Sequence, residues 1–199
     1  MKTYHVVLTF NEPLLGAVPK NKELYADFIA KKAPPGQKTD DEVASVEEMD
    51  EKGRTGFHED EDGAPILYDY VVKGFFKDAC GMLRRVTGSR SAALKAHKKV
   101  IDGLVFIAPR QIPIDLNGGE LFVLERPLRA QTAQGERVAL AVSDAAPAGS
   151  SIEFDVVLLG GVTKALLKDW LDYGSLRGLG QWRNAGYGRF TYQLTEVKE

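Results

Sequence analysis

Over Lys2–Phe10 apolar side chains fall at Tyr4, Val6, Leu8 and Phe10 with mixed polarity between them, an alternation that predicts a strand. Val7 is also apolar, which points to a strand paired on both sides. The period then changes. Leu24, Phe28 and Ile29 recur at helical spacing within Asn21–Ala33, with Asn21 placed to cap that helix and Pro34-Pro35-Gly36 to stop it. Thr39–Asp62 is charged and, apart from Val43, Val46, Met49 and Phe57, poor in large apolar residues, so it reads as a surface loop or short helix. Between Val71 and Val86 the residues Val72, Phe75, Phe76, Ala79, Leu83 and Val86 form one stripe, with Lys73, Lys77, Arg84 and Arg85 off it. That is a core helix with a basic flank.

Ser91–Ile101 predicts a second basic helix, Ala92, Ala93, Ala96 and Val100 inward and Lys95, Lys98 and Lys99 outward. Short strands follow at Leu104–Ala108, Gln111–Ile114 and Leu121–Leu124, separated by Pro109, Pro113 and Asn117-Gly118-Gly119, and a polar stretch over Arg129–Glu136 leads into Arg137–Val142. Ile152–Leu159 reads as a strand, Val162–Tyr173 as a helix striped by Leu166, Leu167, Trp170 and Leu171, and Arg189–Val197 as the last strand. Strand, helices, strands, strand, helix, strand is the order of an α+β chain with a ferredoxin-like (RRM-like) βαββαβ core and insertions. The length suits a single domain over residues 1–199, with an acidic insertion at about residues 39–62. Sheets of this type bind RNA through exposed aromatics and backbone contacts, so single-stranded nucleic acid is a physically sensible ligand.

The stretch richest in chemistry is Gly178-Leu179-Gly180-Gln181-Trp182-Arg183-Asn184-Ala185-Gly186-Tyr187-Gly188-Arg189-Phe190. Two glycine pairs around an Arg-bearing pentapeptide imply that the backbone itself is at work there. Positive φ and close backbone approach would let N–H groups wrap phosphates while Arg183 and Arg189 supply charge. An ordinary glycine-rich turn is the plainer alternative.

This spacing resembles the glycine-rich loop of the RAMP superfamily, the ferredoxin-like RNA-binding proteins of CRISPR effector complexes. Gly63-Ala64-Pro65-Ile66-Leu67-Tyr68-Asp69-Tyr70-Val71-Val72-Lys73-Gly74-Phe75-Phe76-Lys77, continuing to Leu83-Arg84-Arg85, is similar to that family's segment at the start of its first core helix. Ala145-Ala146-Pro147-Ala148-Gly149-Ser150-Ser151-Ile152-Glu153-Phe154-Asp155-Val156 resembles its entry into a later strand. The features together look most like the backbone subunits of type III effector complexes, or a standalone phage or prophage member. Tyr68-Asp69-Tyr70 departs from the family's Pro-Gly-Ser-Ser turn, and Asn11–Glu61 has no clear counterpart. The resemblance implies a projecting β-hairpin thumb around residues 129–142. It also implies nucleic-acid contacts from Lys73, Gly74, Lys77 and Arg84 on the core helix, from Gly178, Gly180, Trp182, Arg183, Gly186, Gly188 and Arg189 in the loop, and from Arg126, Arg129 and Arg137 in the thumb. Protein partners, or self-assembly along nucleic acid, come with it. An Asp before the core-helix segment supports target cleavage in the type III subunits, and Asp50 is nearest to that position, with Glu48, Glu51 and Asp60 as the alternatives.

Charge sharpens this picture. The net charge is −2, yet residues 39–70 hold twelve acids against Lys52 and Arg54, and the rest of the chain nets +8. A mildly basic body suits a phosphate backbone; an acidic insertion would shield it, or dock a basic partner. Lone Cys80 sits on the apolar stripe as a core residue, no apolar run is long enough to cross a bilayer, and no signal-peptide core follows Met1. The expectation is a soluble, cytoplasmic protein. His5, His58 and His97 lie at no spacing that marks a zinc site or a triad, so no metal and no cofactor is expected. A metal-independent endoribonuclease is one alternative, with His58 its best seat as the base for a 2′-OH. A protein that sequesters a small signalling nucleotide in the glycine loop is another. A His at the groove would favour the first and a closed pocket the second.

Overall fold

The computed structural model describes residues 1–20, 53–132 and 135–197, and for residues 128–132 and 135–139 the backbone alone. The helix expected over Asn21–Ala33 and the candidate Asp50 lie outside the described residues.

Alternation at the start of the chain gives β1 (Lys2–Phe10), followed by the short β2 (Leu14–Leu15) and β3 (Val18–Pro19). Then come β4 (Thr55–Gly56), β5 (His58–Glu59) and β6 (Pro65–Tyr68), which runs directly into α1 (Asp69–Leu83). After α2 (His97–Leu104) the chain forms β7 (Val105–Ala108), β8 (Gln111–Asp115), the long pair β9 (Phe122–Thr132) and β10 (Gly135–Ala146), and β11 (Ser151–Leu158). It closes with α3 (Lys164–Arg177) and β12 (Phe190–Val197). The architecture is mixed α and β: three α-helices among the described residues and two sheets. One sheet has seven strands, ordered β12-β1-β11-β8-β6-β5 with β7 also on β11, and the other has five, ordered β2-β10-β4-β3 with β9 on β10. β1 is antiparallel to β11 and to β12, so it is paired on both sides as the apolar Val7 suggested.

Tyr4, Val6, Leu8 and Phe10 of β1 and Ile152, Phe154, Val156 and Leu158 of β11 point to one face and are buried beneath α1 and α3. The stripe read from the sequence closes this core. Phe76 of α1 lies 5.7 Å from Trp170 of α3, and Phe75 meets Phe190 edge-on at 5.9 Å. Truncating a ring as enclosed as Phe76 costs about 3–5 kcal/mol. Cys80 is fully buried beside them, which pushes its thiol up from the ordinary value.

Several boundaries differ from the sequence reading for physical reasons. The core helix ends at Leu83 rather than Val86 because Ser89 Oγ donates to the Leu83 carbonyl at 2.6 Å and caps that end. Ser91–Ile101 is not one helix: Arg90–Ala93 forms a 3-10 turn, Ala96 is left-handed at φ 48°, and α2 begins only at His97. The turn is pinned by buried Ser91, whose hydroxyl accepts from Trp170 Nε1 at 3.0 Å. Leu121–Leu124 and the polar stretch after it are one continuous hairpin, paired from Phe122 opposite Ala145 to Thr132 opposite Gly135. The end of the acidic segment is ordered too. Thr55 pairs with Ser143, His58 and Glu59 pair with Ile66 and Pro65, and Phe57 between them is buried. Arg54 and Lys20 hold the buried carboxylate of Asp144 at 2.5 and 2.7 Å, fastening this segment to the base of the hairpin.

Candidate nucleic-acid interface

Successive three- and four-residue steps along α1 place Tyr70, Gly74, Lys77, Gly81 and Arg84 in one line beside its buried stripe. Where that line faces α2 there is an open groove of about 900 Å³, lined by Gly74, Lys77, Asp78, Gly81, Met82, Arg84, Arg85, His97 and Lys98. Four cations against one carboxylate give the groove the sign that attracts phosphate. Its cations are oriented by α2. Lys77 pairs with Asp102, Lys73 reaches the Asp102 carbonyl at 3.5 Å while its ammonium lies 5.2 Å from the Phe106 ring, and Arg84 Nη1 donates to His97 Nδ1 at 2.9 Å. Burial above all, and then the charges of Arg84 and Lys98, hold the His97 pKa below its ordinary value. A guanidinium can only donate, so His97 Nδ1 is the acceptor of that bond. Its Nε2 is buried against Gly81, where an added Cβ would lie 3.3 Å away.

The N-terminus of α1 is already occupied. Asp69 opens the helix and its carboxylate accepts the Tyr70 N–H at 2.8 Å, so the chain's own anion sits at the positive end of the dipole. That leaves the flank of the helix, not its tip, as the cationic surface.

In the glycine loop all four glycines have positive φ: 86° at Gly178, 83° at Gly180, 93° at Gly186 and 69° at Gly188. Their neighbours are largely the protein itself. A Cβ on Gly188 would stand 1.9 Å from the Leu179 carbonyl oxygen, and one on Gly178 would stand 2.2 Å from that of Tyr187. The N–H groups of Gly178, Gly186 and Gly188 donate to the carbonyls of Gly174, Arg183 and Pro13. These glycines fold the loop onto its own backbone, and what it presents outward is side chains. Arg183 pairs with Asp78 of α1 at 2.7 Å, which joins loop to groove. Arg189 is exposed, its guanidinium beside Gly186. Trp182 takes a left-handed φ of 51°, rare for a bulky residue, with Tyr187 at 6.0 Å and the Arg126 guanidinium of β9 at 5.6 Å over its ring. The loop is thereby tied to the hairpin. Arg129 and Arg137 are on the hairpin strands, and their side chains lie outside the described residues.

His58 is on β5 at the N-terminal end of α1. Its Nε2 is 3.1 Å from the Tyr70 hydroxyl, its ring meets Tyr68 edge-on at 4.7 Å, and burial lowers its pKa. It has no carboxylate partner among the described residues. His5 faces outward from β1, paired with Asp155 at 2.8 Å and 3.8 Å from Glu153. Among the described residues no cluster of His, Cys, Asp and Glu could hold a metal ion, and no helix is long and apolar enough to cross a membrane.

Sequence reasoning did not assign Arg85, Asp78, His97 or Lys98 to the site. The four-residue steps on α1 contained the signal for the first two. The others depended on the angle at which α2 returns, which no spacing encodes.

No protein-family model matches the chain, and no curated protein matches it. Solved structures do. The chain is similar to a chain in the cryo-EM structure of the Type III-B Cmr-beta bound to cognate target RNA, with 13% identity, a TM-score of 0.56, and 99% of this chain and 61% of that chain covered. It is also similar to a chain of a Type IV-B CRISPR complex, with 12% identity, a TM-score of 0.47, and coverage of 97% and 90%. The chain thus shares its fold with that chain of the Type III-B Cmr-beta structure and spans about 61% of its length.

Proposed function

We propose that this protein is a RAMP-like binder of single-stranded RNA that holds the phosphate backbone along α1, in a multi-subunit, CRISPR-type setting or as a standalone member. The observation that carries this reading is the open groove in which Lys77, Arg84, Arg85 and Lys98 line a helix flank bearing Gly74. Its supports are independent. The order β12-β1-β11-β7 with α1 and α3 packed on one face supports the ferredoxin-like βαββαβ reading. The Cmr-beta structure whose fold it shares was solved with target RNA bound. From the groove the strand would continue past Arg183 and Arg189 to Trp182, Gly180 and the hairpin cations Arg126, Arg129 and Arg137. Cations that meet phosphates, with few base-directed groups, read backbone rather than sequence.

Two further readings can be weighed on the geometry. A His does line the groove, as an endoribonuclease would need, but neither nitrogen of His97 is available to a 2′-OH, one accepting from Arg84 and the other buried. The groove is open along the helix rather than closed around a mononucleotide. A binder of extended RNA is the reading these two facts favour. It is tested by titrating labelled oligoribonucleotides of increasing length into protein cleared of nucleic acid, at two salt concentrations. Affinity should rise with length and fall steeply with salt; no binding at low salt refutes it.

A further inference from the structure

The line along α1 does not begin with a cation. One turn before Gly74 stands Tyr70, with 57% of its surface exposed. Its ring lies nearly parallel to that of Tyr68, with 5.4 Å between centroids and 12° between planes. His58 braces both, edge-on to Tyr68 at 4.7 Å and 3.1 Å from the Tyr70 hydroxyl. Three aromatic side chains from β5, β6 and α1 therefore fix one ring at the water boundary. Burial lowers the His58 pKa, and the stacked tyrosine rings present an apolar plane where the flank of the helix beyond them presents cations. From Tyr70 to Arg84 the helix rises about 21 Å, so a strand lying along the groove has its end base at the tyrosines.

We propose that Tyr70, backed by Tyr68 and His58, is a stacking platform for an unpaired nucleobase at one end of the groove. The proposal rests on the RNA reading above and adds what that reading lacks, a contact to a base. A ring face accepts any base, so the site takes purine or pyrimidine at one position of the strand.

The test separates stacking from phosphate contact by salt dependence. Labelled RNA is titrated by fluorescence anisotropy into the parent and the variants Tyr70→Ala, Tyr70→Leu and Tyr70→Phe, each checked for folding by circular dichroism. It is titrated again as oligomers carrying one abasic ribose at successive positions. Tyr70→Ala and Tyr70→Leu should weaken binding about 5- to 100-fold with an unchanged salt slope. Tyr70→Phe should bind within about twofold of the parent, since the ring is kept. On the oligomer abasic at the stacked position, parent and Tyr70→Ala should bind alike. If Tyr70→Leu binds like the parent while Lys77→Ala weakens binding, the platform is wrong and the RNA reading stands. If Tyr70→Ala flattens the salt slope, the residue acts through phosphate and the platform is equally wrong. If the parent fails to bind at low salt, both fall.

Discussion

Gly74 gives the sharpest test of where a ligand approaches. It sits inside α1, where Gly is disfavoured relative to Ala by about 0.5–1 kcal/mol because it adds backbone entropy to the unfolded chain. Internal packing offers no reason for it. A Cβ built on Gly74 meets no heavy atom within 4 Å, in contrast to Gly174, whose Cβ would stand 2.3 Å from the Phe75 ring. Gly74→Ala should therefore stabilise the fold by about 0.5–1 kcal/mol, which for a chain of this size raises Tm by about 1–4 °C. The same methyl projects into the groove beside Lys77, where we place the RNA backbone. An overpacked contact costs about 1–3 kcal/mol, so RNA affinity should fall about 5- to 150-fold. Thermal melts and anisotropy titrations on one preparation measure both effects. A variant that melts higher and binds like the parent would refute the ligand's approach at Gly74. One that melts lower would refute the helix argument itself.

Gly188→Ala places a methyl 1.9 Å from the Leu179 oxygen at φ 69°, so it should destabilise by about 3 kcal/mol, read as a lowered urea midpoint; an unshifted midpoint would mean the loop's backbone packing is misjudged. Arg183 is divided between Asp78 and the ligand, so Asp78→Ala should tighten RNA binding and Arg183→Ala should loosen it; equal affinities would leave Arg183 a purely structural link. His97 and His58 both have lowered pKa values in the fold, so the unfolded chain binds more protons once pH drops below the ordinary histidine value near 6.5. Stability should fall from there toward more acid pH, and His97→Gln should flatten the fall in urea titrations; an unchanged pH profile would refute a His97 whose charging the fold opposes. Deleting residues 39–52, seven acids against Lys52, should tighten RNA binding at low salt, whereas extending the deletion to residue 61 removes buried Phe57 with β4 and β5 and should lower Tm; unchanged affinity for the short deletion refutes shielding.

What was legible in the sequence was whatever short-range periodicity encodes. The alternation in Lys2–Phe10 and the stripe through Val72, Phe75, Phe76 and Ala79 both placed their residues in the core. The region around Ser91 was misread because helix propensity there is overridden by one buried hydrogen bond to Trp170, a partner 79 positions away. Phe57 looked like a stray apolar residue in an acidic loop, although a large apolar side chain next to Thr55 and Gly56 was the mark of the two short strands that hold it. At the site, the glycine motif announced an unusual backbone correctly, but spacing could not say whether that backbone faces a ligand or itself. The carbonyls of Leu179 and Tyr187 show that it faces itself.

The same distinction decides which surface of the sheet matters. On β1 and β11 the residues pointing away from the helices are Thr3, His5, Val7 and Thr9 and, across from them, Glu153, Asp155 and Val157. An RRM-like sheet would carry stacking aromatics there; among the described residues these two central strands carry carboxylates, with Phe106 exposed on β7 at the side. Two acids repel a phosphate backbone at the place where such a sheet normally receives it. The aromatic rings and the cations lie instead along α1, Tyr70 at one end and Arg84 at the other. If RNA binds this protein, charge and ring placement both direct it to the helix flank, and substitutions confined to the outward face of β1 and β11 should leave affinity within about twofold of the parent, since they alter no phosphate contact.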